Sequence, residues 1–380
     1  MKKKETTAKG TPAVAGASGI CSTTATTTVT TGNQPRNLLL TNAANIPLSY
    51  EFHNPNLHSR QVSITVRQQD NEETWPGGAI WDLGILLASL CVASAGGTAC
   101  TLTLWHNPND NNKKTTTTAK PKQYPIRIPD RLVSKQKDDP WFRRHFGTPN
   151  NHSMRWVELG CGVGLTGLVA AAALRPGAML LTDLQVVVDQ VTQPNVQANT
   201  HLYKGGTHCR AFPLCWGNAN DVTTTKDILA SLYKPPSSLS ATAKKSSRRK
   251  KGADPTLNDD MTAQDDRVVR SRAADVILIG DVAYQHKPGA PSHFDVLHQT
   301  ILELLHKDTL VIFGTRIRMP ASVDLLQLLR QDLDEVIDPP VTADEIDPAS
   351  FGKVKHNMTI HFMRKRSEPI DKGSTAVEAK

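Results

Sequence analysis

Hydrophobic and polar positions along this chain follow two rhythms that take turns. Val62, Ile64 and Val66 recur at every second residue, the spacing of a half-buried strand. A turn over Trp75 to Gly78 leads to an apolar run from Ile80 to Val92, predicted as a helix beginning near Trp81. The run carries Asp82 and is too short to span a bilayer, so a buried core helix is expected. Met154 to Leu159 reads as a strand that feeds a glycine-rich turn. An Ala-rich helix follows from Leu165 to Leu174, stopped by Pro176, and then a strand from Ala178 to Thr182 that ends at Asp183. Val186 to Thr200 reads as a helix interrupted by Pro194, and Arg210 to Cys215 as the next strand. The apolar run within Ala274 to Gly280 has the character of a central strand buried on both faces. Phe294, Leu297, Ile301, Leu304 and Leu305 fall at helical spacing, as do Leu325, Leu326, Leu329 and Leu333. Strands over Thr309 to Phe313 and Met358 to Met363 complete the series. Strand and helix in alternation imply an α/β, Rossmann-like fold: a mostly parallel sheet with helices on both faces.

Three stretches interrupt the rhythm. They are a Thr-rich head, a region around the Asn/Asp/Lys/Thr string at Asn107 to Lys120, and a Ser-rich basic segment containing Lys244 to Lys251. Composition of this kind buries too little apolar surface to offset ordering entropy. The expected division is therefore a disordered head (1–45), an N-terminal strand and helix segment (46–95) and a low-complexity insertion (96–151). A Rossmann-like half (152–233), a disordered basic insertion (234–272), a second half (273–366) and a tail (367–380) follow.

The 380 residues carry a formal charge of +8. Ten cations in the head and the basic segment (Lys2, Lys3, Lys4, Lys9, Lys244, Lys245, Arg248, Arg249, Lys250 and Lys251) exceed that excess by themselves. The remainder is near neutral, so no basic groove on the core is implied and a nucleic-acid partner is not expected. The basic run could serve as a nuclear address. Six scattered cysteines without a CxxC pair suit reduced thiols, and the head lacks an apolar signal core, so a cytoplasmic location is expected, with the nucleus as the variant. His201, His208, Cys209 and Cys215 fit no common zinc spacing, and no metal is expected.

The chemistry-bearing motif is Glu158-Leu159-Gly160-Cys161-Gly162-Val163-Gly164-Leu165-Thr166-Gly167-Leu168. It lies between a strand and a helix, where glycines let the backbone turn tightly against a ligand and the helix start offers free N–H groups. Asp183, at the end of the next strand, is placed to accept hydrogen bonds from ribose hydroxyls. Gly162, Gly164 and Gly167 also match the dinucleotide pattern. Glu158 ahead of the loop suits a cationic ammonium group rather than a pyrophosphate, which favours S-adenosylmethionine over NAD.

With Trp216-Gly217 and Asp281-Val282-Ala283-Tyr284, this motif resembles the class I, seven-β-strand methyltransferases that use S-adenosylmethionine. More narrowly it resembles the protein-lysine methyltransferase branch called methyltransferase family 16. Gly77 to Asp82, Arg316 to Arg318 and Thr359 to Phe362 are similar to segments of that branch. The resemblance implies a seven-stranded sheet, with Trp81 beside the cofactor and Gly160, Cys161 and Gly162 at its methionine end. It also implies Asp183 on the ribose, Trp216 flanking the adenine and Gly280 lining the pocket. Asp281 and Tyr284 would face a lysine amine of a protein substrate, on a monomeric enzyme with no membrane association. Cys215 replaces an acidic residue common before Trp-Gly in the branch.

Asp281 is the candidate to orient the amine or take its proton, with Tyr284 and Trp81 as an aromatic wall for the ammonium. Other readings stay open. Nucleobase methylases usually carry two prolines where Val282 and Ala283 stand. A small-molecule methylase, an NAD-dependent oxidoreductase and a non-catalytic binding protein all use the same fold.

Overall fold

A computed structural model of the chain describes residues 48–54, 61–69, 80, 82–96, 99–105, 122–232, 269–282, 293–317, 320–346 and 357–367. Helix α1 spans Asp82–Gly96, and every residue from Asp82 to Ala95 except Gly84 is buried. A helix apolar all round needs cover on all sides. One side is covered by a four-stranded antiparallel sheet in the order β2-β1-β3-β4. Its strands are β1 (Leu48–His53), β2 (Gln61–Val66), β3 (Ala99–Trp105) and β4 (Lys122–Arg127). Asn54 Nδ2 donates to the Val92 carbonyl at 2.9 Å, and Cys100 Sγ to the Ser89 carbonyl at 3.5 Å, which ties α1 to this sheet.

The other side of α1 meets the main sheet, whose strands run in the order β10-β12-β9-β8-β5-β6-β7 with β11 on β12. Five of them are parallel: β5 (Arg155–Leu159), β6 (Ala178–Asp183), β7 (His208–Pro213), β8 (Val276–Gly280) and β9 (Leu310–Arg316). Strand β12 (Met358–Lys365) runs antiparallel to β9, and β10 (Leu333–Glu335) and β11 (Val341–Thr342) pair antiparallel with β12. The expected α/β architecture is therefore present. Leu83 and Leu87 of α1 reach β8 and β9 because Gly280 and Gly314 stand there; a Cβ on Gly314 would lie 3.0 Å from Leu87 Cδ1.

Helices α2 (Asp130–Asp138), α3 (Pro140–His145) and α4 (Leu165–Ala173) share the face of α1, and Phe142 and Phe146 pack on Phe362 of β12. On the opposite face, α8 (Ala219–Leu232), α9 (Phe294–Leu304) and α10 (Pro320–Asp332) cover a second apolar cluster that includes Ile277, Ile279, Val311 and Phe313. Short α11 (Ala343–Ile346) follows β11.

Two expectations change. The stretch 96–151 is not simply a low-complexity insertion: its described residues form β3, β4, α2 and α3 and contribute Leu102, Ile126, Phe142 and Phe146 to the core. Those apolar positions stand far apart on either side of the polar string and do not form a visible period. Second, Pro194 does not interrupt its helix. Segment 185–203 runs as α5 (Gln185–Val187), a π-turn (Val188–Thr192), α6 (Gln193–Ala198) and α7 (Thr200–Tyr203), with Pro194 in the first turn of α6. The wide π-turn makes room for the ring and needs no N–H from it. Among the described residues Cys91, Cys100, Cys161 and Cys209 are free. The head to residue 45, residues 234–268 and the tail beyond 367 lie outside the described residues. No helix among the described residues is long and apolar enough to cross a membrane.

Candidate functional site

Strand β5 delivers the chain into the glycine loop at the carboxyl edge of the parallel sheet, where open α/β sheets bind ligands. Gly160 has φ +68°, and a Cβ there would sit 2.8 Å from Val282 Cγ1 and 3.2 Å from the Trp216 ring. Only glycine meets both demands. Gly167 serves differently: a Cβ would lie 2.3 Å from Leu181 Cδ2 and 2.6 Å from Glu158 Oε2, so its absence lets α4 press onto the sheet.

The loop is held from behind. The Cys161 N–H donates to the Thr182 carbonyl at 3.0 Å and the Gly162 N–H to Asp183 Oδ2 at 2.8 Å. Thr192 Oγ donates to the Gly162 carbonyl at 2.6 Å, and Asn195 Nδ2 to the Val163 carbonyl at 3.0 Å. Asn195 also bonds the N–H and carbonyl of Arg67, and Asn199 those of Thr65, as a neighbouring strand would. Strand β2 is the edge of its sheet, and these two buried amides satisfy that edge and join it to the loop. The sequence reading missed Thr192, Asn195 and Asn199. Their signal was polar residues at positions three, then four, apart on the apolar side of a helix.

Asp183 is preorganised by two backbone donors, Gly162 N–H on Oδ2 and Leu184 N–H on Oδ1, each at 2.8 Å. Each carboxylate oxygen keeps a second acceptor site, which suits a ligand with two adjacent hydroxyls. Burial pushes its pKa up to about 6, against the lowering effect of the two N–H bonds. Glu158 is placed otherwise than expected. It is 4% exposed, and its Oε2 accepts from the Gly167 N–H at 3.0 Å, inside the first turn of α4. Burial raises its pKa to about 8, opposed by the Gly167 and Thr166 bonds. In this arrangement it supports α4 rather than facing an open cleft.

The remaining candidates close the other wall. Trp216 and Val282 both abut Gly160, and Gly280 packs on Leu87. Cys161 is buried, so it offers its backbone, and burial pushes its thiol pKa well up. Asp281 follows the last residue of β8 with φ +54°, is 7% exposed, and donates its N–H to the Gly314 carbonyl at 3.0 Å. A non-glycine residue in this region is uncommon and clusters at functional sites. Trp81, Tyr284 and Arg318 lie outside the described residues. The structure thus brings Gly160, Gly162, Asp183, Trp216 and Asp281 to one edge of the sheet.

A family described as lysine methyltransferase matches residues 59–232. That span contains the glycine loop, Asp183 and Trp216; Asp281 lies beyond it. The chain is also similar to a calmodulin-lysine N-methyltransferase of Arabidopsis thaliana, at 35% identity over 77 residues. The aligned part is 20% of this chain and 25% of that relative, so the chain spans about a quarter of the relative's length. Among solved structures, SMU.776 complexed with SAH is similar at 12% identity, with 64% of this chain and 53% of that chain covered and a TM-score of 0.32. An O-methyltransferase from Bacillus cereus in complex with SAH is similar at 10% identity, covering 62% of this chain and 79% of that chain with a TM-score of 0.31.

Proposed function

We propose, from the premise that residues 59–232 match the lysine methyltransferase family, that this chain is an S-adenosylmethionine-dependent methyltransferase acting on a lysine side chain of a protein. The observation that carries the reading is Asp183, anchored to the glycine loop by its own carboxylate and left with acceptor sites for a ribose. The residues fit the cofactor: backbone at Gly160 to Gly162 for the methionine end, Asp183 for the ribose and the Trp216 ring beside the adenine. When bound, S-adenosylmethionine supplies a methyl made electrophilic by its sulfonium. The protein's tasks are then to orient an amine and relieve it of a proton. A lysine amine, with a reference pKa of about 10.4, is protonated at neutral pH. Asp281, at the mouth of β8, is the group assigned to receive that proton.

Thermal-shift measurements with S-adenosylhomocysteine and with NAD test the cofactor. Saturating S-adenosylhomocysteine, at about 100 times its Kd, is expected to stabilise the fold by about 2.7 kcal/mol, and NAD not at all. Stabilisation by NAD alone would overturn the reading. Labelled cofactor with cell extract is expected to yield methyl-lysine on hydrolysis of the labelled protein; label confined to nucleic acid or small molecules would exclude a protein-lysine acceptor.

Asp183 gives a pH dependence whose sign is fixed. Its ionised form accepts the ribose hydroxyls, and the free protein holds a proton there up to about pH 6. In the absence of cofactor the raised pKa favours the fold at low pH, an advantage lost as pH rises through 6. Cofactor binding runs the other way. Affinity for S-adenosylhomocysteine is expected to be flat above pH 7 and to weaken by up to about tenfold per unit below 6. Calorimetry from pH 5 to 8 checks this, and Asp183→Asn should bind weakly with no such slope. An equally steep slope in that variant would assign the effect to another group.

A further inference from the structure

The pairing of β5 with β8 ends at Leu159 and Ile279. Beyond that point one strand leads into the glycine loop at Gly160 and the other into Asp281. The first is the proposed seat of the cofactor and the second carries the proposed base, so the spacing of these two chain ends matters to the reaction. On the β9 side the Asp281 backbone is fixed by its N–H, which donates to the Gly314 carbonyl at 3.0 Å.

On the β5 side the contact is made by Val282. Asp281 has φ +54°, a conformation that turns the chain out of the line of the strand. Val282 then lies back against the glycine loop and is 6% exposed. Its Cγ1 is the atom nearest to where a Gly160 side chain would begin, 2.8 Å from that point. A residue just beyond the end of β8 thus touches the first residue beyond β5, across the gap where their pairing stops. Val282 also belongs to the apolar cluster that holds Leu159, Leu214, Ile279 and Phe294.

Trp216 completes the contact, with Cζ2 3.2 Å from the same point at Gly160. The turn that presents it is braced from two directions. The Cys215 N–H donates to Asp221 Oδ2 at 2.9 Å, and the Gly217 N–H donates to Thr300 Oγ of α9 at 3.0 Å. Val296 of α9 packs on Gly217, where a Cβ would lie 3.0 Å from its own. A side chain set among backbone pieces held in this way acts as a spacer. Valine suits the task, because branching at Cβ leaves it few choices of χ1.

We propose that Val282 is a positioning residue for methyl transfer: its branched side chain, set on Gly160, fixes the spacing between the methionine end of the cofactor and Asp281. The inference rests on the methyltransferase reading and adds a residue that acts through Asp281 rather than on the amine itself. A misplacement of about 1 Å at a reacting centre costs about 100-fold in rate. Truncating the spacer should therefore slow transfer without loosening the cofactor, which Asp183 and the loop backbone continue to hold.

Three variants decide the matter. Val282→Ala removes both methyls of the spacer. Val282→Leu keeps an apolar filling but moves the branch one carbon outward. Val282→Thr keeps the branched shape and buries a hydroxyl, so it should lower Tm while preserving the spacing. Initial rates are read below Tm, with labelled S-adenosylmethionine at saturation and extract protein as acceptor. The alanine and leucine variants are expected to be slower by about tenfold or more, with the Kd for S-adenosylhomocysteine within about twofold of wild type. The threonine variant is expected to keep its rate within about twofold although its Tm falls. A role in packing alone predicts wild-type rates in all three. A wild-type rate in whichever of the alanine and leucine variants folds, or a threonine variant as slow as they are, would overturn the assignment. So would a loss explained by weaker S-adenosylhomocysteine binding. Each of these results leaves the methyltransferase reading standing, whereas absence of methyl transfer by the wild-type protein would overturn both.

Discussion

Asp281→Asn is expected to reduce methyl transfer by about 10²- to 10⁴-fold, the range that a positioned general base contributes. The acceptor amine must lose a proton before its electron pair can attack, and Asn cannot take one. Asparagine is the right replacement because residue 281 has φ +54°. Asn is among the residues that tolerate this conformation, whereas Ala would add backbone strain of about 1–2 kcal/mol and blur the result. The N–H bond from residue 281 to the Gly314 carbonyl is a backbone contact and survives the change. Tm and the affinity for S-adenosylhomocysteine should therefore match the wild type. Initial rates with labelled cofactor, read beside calorimetry, decide the matter. Transfer within twofold of wild type would mean that Asp281 is a strand-end turn residue and nothing more.

That expectation links a strained backbone position to a chemical role, and only half of the link was legible in the sequence. The parallel strands β6, β8 and β9 could be read because burial on both faces gives each an apolar run, Ala178 to Leu181, Val276 to Gly280 and Leu310 to Gly314. The glycine loop could be read because its residue types are dictated by backbone geometry at positions such as Gly160. Strand β4 was hidden by Pro125, which a strand tolerates at an edge, and β4 is one. The amides of Asn195 and Asn199 were hidden for a related reason. Their role is to complete the hydrogen bonds of β2, more than 125 residues earlier in the chain, and no local pattern announces such a partner.

Glu158 shows the opposite failure. Its place beside the loop was plain, but its direction was not. An acidic residue next to a ligand loop can face the ligand or face the helix start, and sequence spacing does not choose between them. Packing does: with Gly167 pressed onto β6, the nearest unsatisfied donor is the helix N–H. The same logic separates the two ends of β5. Glu158 near its carboxyl end supports the loop, while Arg155 at its start belongs to a different structural task.

Arg155→Ala is expected to destabilise the fold by about 3–5 kcal/mol, the cost of breaking a buried ion pair from one side. Arg155 is 2% exposed, and its Nε lies 3.1 Å from Asp275 Oδ2. Its two remaining nitrogens donate to the carbonyls of Leu229, Ser271 and Arg270. One guanidinium thus joins β5, the end of α8 and the segment by which the chain re-enters the sheet before β8. Alanine would leave Asp275 buried with the Arg155 backbone N–H at 2.8 Å and strand three carbonyls. Lysine supplies one ammonium for a fork of donors and should recover only a small part of the loss. At about 2–4 °C per kcal/mol for a domain of this size, Tm should fall by roughly 6–20 °C. Leu159 lies four residue steps along β5 from Arg155, about 13 Å, so the variant below its Tm should bind S-adenosylhomocysteine as the wild type does. A fall in Tm under 2 °C would show that the pair only offsets its own desolvation, and lost cofactor affinity in the folded variant would show that the two ends of β5 are coupled.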